Sequence, residues 1–84
     1  MRIKDGFKLE ERSGQIVVTG EKELKNCIVL SETAVFLWNL LKEKEVTKSQ
    51  MLEEVLKNFD ISTVLALGDI DTFIRTMREN GIIE

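Results

Sequence analysis

The residues that most often perform catalysis are scarce in this 84-residue chain. It contains neither histidine nor tyrosine, and histidine is the usual general base near neutral pH. Three carboxylate pairs remain as candidates for acid–base or metal chemistry: Glu10 and Glu11, Glu53 and Glu54, and Asp69 and Asp71. Adjacent side chains on a helix point about 100° apart, and acids near a helix start favour the helix dipole. We therefore expect solvated carboxylates, and we predict no enzyme activity, no metal site and no cofactor.

Cys27 is the one cysteine, so an intramolecular disulfide is excluded. It lies in an apolar run, which favours a small buried side chain over a reactive thiol. Residues 1–10 alternate charged and apolar side chains, unlike a signal peptide. The apolar run from Ala34 to Trp38 is too short to cross a bilayer. These features predict a cytoplasmic protein with no membrane partner.

The length and composition predict one folded domain over residues 1–84. Apolar residues make up 43% of the chain, and the formal net charge is −3, with both signs interspersed. A nucleic-acid binder would be expected to carry a basic face. The balance therefore disfavours a nucleic-acid partner and leaves a peptide partner open.

The first third of the chain has the pattern of an antiparallel meander. Residues 7–10 alternate with period two, and residues 16–19 are all β-branched. Ser13 and Gly14 between them predict a tight turn. Residues 26–30 form a third predicted strand.

Three helices are predicted after these strands. Ser31 is a favourable N-cap for a largely apolar helix that ends near Lys44, with Trp38 in the core. Thr47 and Gln50 match a capping box for a second helix of about twelve residues. Ser62 is a candidate cap for a third helix, although Gly68 indicates a kink or a start near Asp69. Its predicted inner face is Ala66, Ile70, Phe73, Ile74 and Met77. Asn80-Gly81 is its predicted C-terminal signal.

This order predicts an α+β, winged helix-turn-helix-like fold with a three-stranded antiparallel sheet followed by a three-helix bundle. Such an outline raises a DNA-binding alternative, with the third helix as the recognition helix. The exposed side of that helix carries acids and bases in balance, and the hairpin has only Arg12 near its tip. A DNA-binding regulator is therefore the weaker hypothesis.

The third strand is apolar on both faces. Ile28 and Leu30 point one way, while Cys27 and Val29 point the other. If this strand lies at the sheet edge, its backbone is open to an incoming strand. Two interpretations stay open: the C-terminal Ile82 and Ile83 cover the second face, or another chain does. Pairing with a second copy, as a non-catalytic dimerising structural subunit, is a further hypothesis.

Several segments together resemble the PqqD-like family. They are Leu30-Ser31-Glu32-Thr33-Ala34, Trp38-Asn39-Leu40-Leu41, Val46-Thr47, Leu56-Lys57-Asn58-Phe59-Asp60, Asp69-Ile70 and Gly81-Ile82-Ile83. The family pattern has Asn at the position of Ser31 and Tyr at that of Phe59. The first change keeps the capping role, and the second keeps the packing but loses a hydroxyl. The resemblance covers residues 7–84.

The resemblance implies a RiPP recognition element, which binds the leader of a ribosomally made precursor peptide. Such a protein delivers the precursor to a modifying enzyme: a radical SAM protein, a leader protease or a cyclase. The leader would add as a strand beside the third strand, against the third helix. The implied peptide-binding residues are Lys25, Asn26, Cys27, Ile28 and Val29 on the strand and Ile70, Phe73, Ile74 and Met77 on the helix, with Arg75 and Arg78 at the rim. The resemblance leaves pyrroloquinoline quinone, lasso peptides and thioether-bridged peptides open as products.

Overall fold

A three-stranded antiparallel sheet precedes three helices in the computed structural model, which describes residues 1–20 and 27–83. The strands are β1 (Phe7–Arg12), β2 (Gln15–Gly20) and β3 (Val29–Leu30), in the order β1-β2-β3. The hairpin turn places Ser13 at φ 51° and Gly14 at φ 79°. Positive φ at both central residues characterises the two-residue turn that matches strand twist. The predicted meander is confirmed.

β3 is shorter than the predicted strand over residues 26–30. Its ladder assignment covers only Val29 and Leu30, although the Ile28 carbonyl still accepts a 3.1 Å hydrogen bond from the Val18 amide. Asn26 lies outside the described residues. The described part of β3 is therefore a short strand that leads directly into the first helix.

The helices are α1 (Glu32–Glu43), α2 (Lys48–Asn58) and α3 (Thr63–Glu79). Each begins at the predicted cap: the Ser31 and Ser62 hydroxyls accept from backbone amides, and Thr47 and Gln50 form the capping box. α3 runs from Thr63 through Gly68, so the expected start near Asp69 is wrong. Tertiary packing of its apolar face outweighs the low helix propensity of one glycine.

The core lies between the sheet and the three helices. Trp38 is 2% exposed, as predicted, and all five predicted inner positions of α3 are buried. Gly81 has φ +69°, and the amides of Gly81 and Ile82 donate to the carbonyls of Arg78 and Met77. This pair of bonds is a Schellman cap, which turns Ile82 back into the core.

An additional core residue precedes the first strand. Ile3 is 2% exposed, and its amide donates to the Leu41 carbonyl at 3.3 Å. The amide of Lys4 donates to the Ile82 carbonyl at 2.8 Å. The first residues thus connect the end of α1 with the chain that follows α3, a connection that the alternating pattern of residues 1–10 did not predict. Among the described residues, no helix has the length and apolar character needed to cross a membrane.

Candidate functional site

β3 is an edge strand with backbone groups directed away from the sheet. Among the described residues it pairs only with β2, with Leu30 opposite Ile16 and Val29 opposite Val17. The Val18 amide donates to the Ile28 carbonyl, so Val18 and Ile28, the next pair along the strands, form a hydrogen-bonded pair. Antiparallel pairs alternate between hydrogen-bonded and non-hydrogen-bonded types, so the N–H and C=O of Val29 point toward the open edge.

The two apolar faces of this strand have different environments. Ile28 and Leu30 are 5% and 9% exposed and belong to the main core, together with Ile82 and Ile83. Val29, by contrast, is 49% exposed, and Cys27 is also exposed. The expectation of a buried Cys27 is wrong, because alternation places its side chain on the face opposite Ile28. The C-terminal isoleucines pack with the inner face and leave the outer face open.

A cleft of about 200 Å³ separates β3 from α3. Its strand side is formed by residues 28–31, and Ala34 in the first turn of α1 also lines it. Its helix side is Asp69, Thr72, Phe73, Thr76 and Met77. Among the described residues, the cleft therefore combines an apolar floor with hydroxyl groups and a single charged side chain, the Asp69 carboxylate.

The helical repeat explains why these positions of α3 share one wall. Positions 69, 72, 73, 76 and 77 follow the spacing i, i+3, i+4, i+7 and i+8, which forms one stripe along a helix. Within this stripe, Phe73 and Met77 are buried, whereas Asp69 and Thr72 are exposed. The wall is thus the boundary between the core face of α3 and its solvent face.

Four of the predicted peptide-binding residues line this cleft. They are Ile28, Val29, Phe73 and Met77. Cys27 directly precedes the lining residues and is exposed. Lys25 and Asn26 lie outside the described residues, so their predicted role stays a prediction.

The other four predicted residues are not in the cleft. Ile70 is fully buried in the core, so its predicted contact with a peptide stays a prediction. Ile74, Arg75 and Arg78 line a second concavity on the other side of α3, together with Lys48 and Asp71. Arg75 and Arg78 therefore do not line the cleft, and their predicted role in peptide binding stays a prediction. On a helix they are about 160° and 140° from Phe73, so they point away from β3.

The second concavity carries charges of both signs. It measures about 410 Å³, and its lining includes an ion pair between Lys48 and Asp71 as well as Glu79. The exposed side of α3 thus matches the predicted balance of acids and bases rather than a basic surface for phosphates.

Six cleft residues were not predicted as site residues. They are Leu30, Ser31, Ala34, Asp69, Thr72 and Thr76. The helical repeat could have predicted Asp69, Thr72 and Thr76, because each lies within one turn of Phe73 or Met77 along the same flank. The sequence gives no comparable signal for Ala34, which enters the cleft through the packing of α1 against β3.

The strand order, the helix order and the cleft together define an α+β fold of the winged helix-turn-helix kind. The model of the family described as coenzyme PQQ synthesis protein D (PqqD) matches residues 9–83, and the chain belongs to this family. The predicted resemblance is confirmed.

A solved structure shares this fold over almost its full length. It is described as TbiB1 in complex with the TbiA(beta) leader peptide, and it superposes with a TM-score of 0.75 at 15% sequence identity. The match covers 100% of this chain and 95% of that chain. A comparison with curated protein sequences found no match.

Proposed function

We propose that this protein is a RiPP recognition element, which binds the leader segment of a ribosomally made precursor peptide. The observation that carries the proposal is the open edge of β3 beside the cleft against α3. Membership of the PqqD family supports it, as does the shared fold with a protein that was solved with a leader peptide.

Backbone pairing is the first part of the proposed binding mode. Val29 presents its N–H and C=O toward the open edge, where an extended peptide gains main-chain hydrogen bonds by adding as a strand. These bonds do not depend on the peptide sequence, so they supply affinity for any extended segment. Val29 is also half exposed, and a bound strand would cover it.

The cleft is the second part, and it supplies selectivity. Alternate side chains of an added strand point toward α3, where Phe73 and Met77 form an apolar floor. Burial of apolar surface there contributes roughly 25 cal/mol per Å² before the cost of ordering the peptide. A leader with an apolar side chain at this position is therefore favoured over a wholly polar one.

The proposed role is delivery, without catalysis by this chain. A bound leader holds the rest of the precursor at high effective concentration near a partner enzyme: a radical SAM protein, a leader protease or a cyclase. The enzyme requires its own contact surface on this protein. A second copy that paired through β3 would compete with the leader for the same edge.

The test is a titration of the protein with the leader segment of a candidate precursor peptide encoded near its gene. We expect Val29→Asp to weaken the affinity by more than tenfold, because a carboxylate beside the pairing edge must be desolvated when the strand adds. Val64→Asp is the matched control: Val64 is 79% exposed and lies in the first turn of α3, half a helical circumference from Phe73. Calorimetry and circular dichroism measure affinity and fold on the same samples.

Two results would contradict the proposal. One is unchanged affinity of a folded Val29→Asp variant, which would remove β3 from the binding surface. The other is the absence of binding by the wild-type protein to its co-encoded leader at millimolar concentration. If the protein instead sediments as a dimer that binds no leader and that Val29→Asp dissociates, β3 is occupied by a second copy.

A further inference from the structure

Asp69 is the one charged side chain among the described residues that line the cleft. It is exposed, and among the described residues it makes no hydrogen bond or ion pair. Its neighbour Asp71 differs, because that carboxylate pairs with Lys48 on the other side of α3. The cleft thus holds an unneutralised negative charge next to an apolar floor.

Among the described residues, the bases that could offset this charge lie elsewhere. Arg75 and Arg78 line the second concavity, about 120° and 180° around α3 from Asp69. A peptide that covers the cleft would exclude water from the Asp69 carboxylate, and a cation on the peptide then becomes its natural partner. An acidic peptide side chain at the same place would meet like-charge repulsion.

The spacing of the wall residues fixes where that cation lies on the peptide. Asp69 and Phe73 are four residues apart, which corresponds to about 6 Å of rise along a helix. Side chains on one face of a strand are two residues apart, which is about 6.7 Å. In a strand that runs along α3, a side chain over Phe73 therefore brings the side chain two positions away close to Asp69.

We propose, resting on the proposed leader-binding function, that Asp69 selects leaders with a lysine or arginine two positions from an apolar anchor. The apolar anchor packs on Phe73 and Met77, and the ammonium or guanidinium group pairs with the Asp69 carboxylate. Thr72 lies next to Asp69 on the same flank and offers a hydroxyl to the same group. The recognised class is thus an extended peptide with alternating apolar and basic side chains on one face.

The test is selection of a displayed library of random fifteen-residue peptides against four proteins: wild type, Asp69→Lys, Val29→Asp and Asp71→Asn. We expect wild-type binders to be enriched in lysine or arginine two positions from an apolar residue. Asp69→Lys should instead enrich aspartate or glutamate at that position. Asp71→Asn removes a similar charge from the same helix outside the cleft and should keep the basic preference.

Synthetic peptides from this selection measure how much the Asp69 contact changes the binding affinity. Replacing the basic residue by glutamate should weaken binding to the wild type about three- to tenfold and strengthen binding to Asp69→Lys, and the effect should shrink in high salt. Binders that require Val29 but show no charge preference overturn this inference and leave the proposed function intact. A basic preference that persists in Asp69→Lys also overturns it. Failure to select any binder that depends on Val29 contradicts the proposed function itself, and this inference with it.

Discussion

Phe73 contributes both to the cleft and to the hydrophobic core. It lines the cleft, yet it is only 4% exposed and belongs to the main core. Replacing a buried phenylalanine by alanine costs about 3–5 kcal/mol, which is a large share of the stability of a small domain. A loss of peptide binding by Phe73→Ala would therefore not distinguish a missing contact from a missing fold. Exposed residues of the same wall give a cleaner test.

Thr72→Trp is such a test at the residue scale. Thr72 is exposed and lines the cleft, so an indole there should fill the space that a peptide side chain would occupy. We expect leader affinity to fall at least tenfold while the melting temperature stays within a few degrees of wild type, measured by fluorescence titration and thermal unfolding.

Arg75→Trp is the matched control for this variant. Arg75 is exposed on the same helix but lines the second concavity, so its replacement should leave leader affinity within twofold of wild type. If Arg75→Trp weakens binding and Thr72→Trp does not, the peptide lies on the other side of α3.

The sequence predicted the buried face of α3 but not which flank of the helix lines the cleft. The inner face was predictable, because Ala66, Ile70, Phe73, Ile74 and Met77 share one helical stripe and all are buried. The flank that turns toward β3 was not, since an amphipathic pattern is equally compatible with either direction of packing. The packing of α1 and α2 around α3 decides it, so the sequence did not show that Arg75 and Arg78 line the second concavity.

At the scale of elements, α3 shows two different uses of glycine. Gly68 lies in the helix interior, and a Cβ there would have no neighbour within 4 Å. Gly81 follows the helix at φ +69°, and a Cβ there would also meet open space. The two positions therefore differ in backbone conformation and not in steric room.

Replacement of each glycine by alanine should change stability in opposite directions. Gly68→Ala should stabilise the protein by about 1 kcal/mol, the difference in helix propensity, and raise the melting temperature by roughly 4–8 °C. Gly81→Ala should destabilise it by about 1–2 kcal/mol, because an L-residue with a side chain disfavours the left-handed region. Thermal and urea unfolding measure both. Destabilisation by Gly68→Ala would indicate that α3 is not a continuous helix at that point.

The elements themselves were largely predictable from local chemistry. Caps at Ser31, Thr47 and Ser62 and the turn at Ser13 each depend on neighbouring backbone groups, so a short window contains the needed information. The environment of Cys27 depends instead on which face of β3 the helices cover. That is a long-range property, and the apolar run alone did not reveal it.

At the scale of the whole molecule, the segment before β1 joins parts of the chain that are distant in sequence. Residues 1–4 form backbone hydrogen bonds with Leu41, Val46 and Ile82. Ile3 is buried in the same core cluster as Phe73 and Met77, which form the cleft floor. The core that includes the cleft floor thus extends to a residue outside the range matched by the family model.

Ile3→Ala should consequently destabilise the fold without altering the cleft directly. Loss of a buried isoleucine side chain costs about 2–5 kcal/mol, whereas Arg2→Ala, at an exposed neighbouring position, should cost little. A leader that binds only the folded protein should add about 2.7 kcal/mol of stability at one hundred times its Kd. Because Ile3 does not line the cleft, this increment should be the same in Ile3→Ala as in wild type. Urea unfolding with and without the leader measures both quantities. Equal stability of Ile3→Ala and Arg2→Ala would contradict the burial of Ile3 in the core. A smaller stability increment from the leader in Ile3→Ala would show that the segment before β1 shapes the binding site itself.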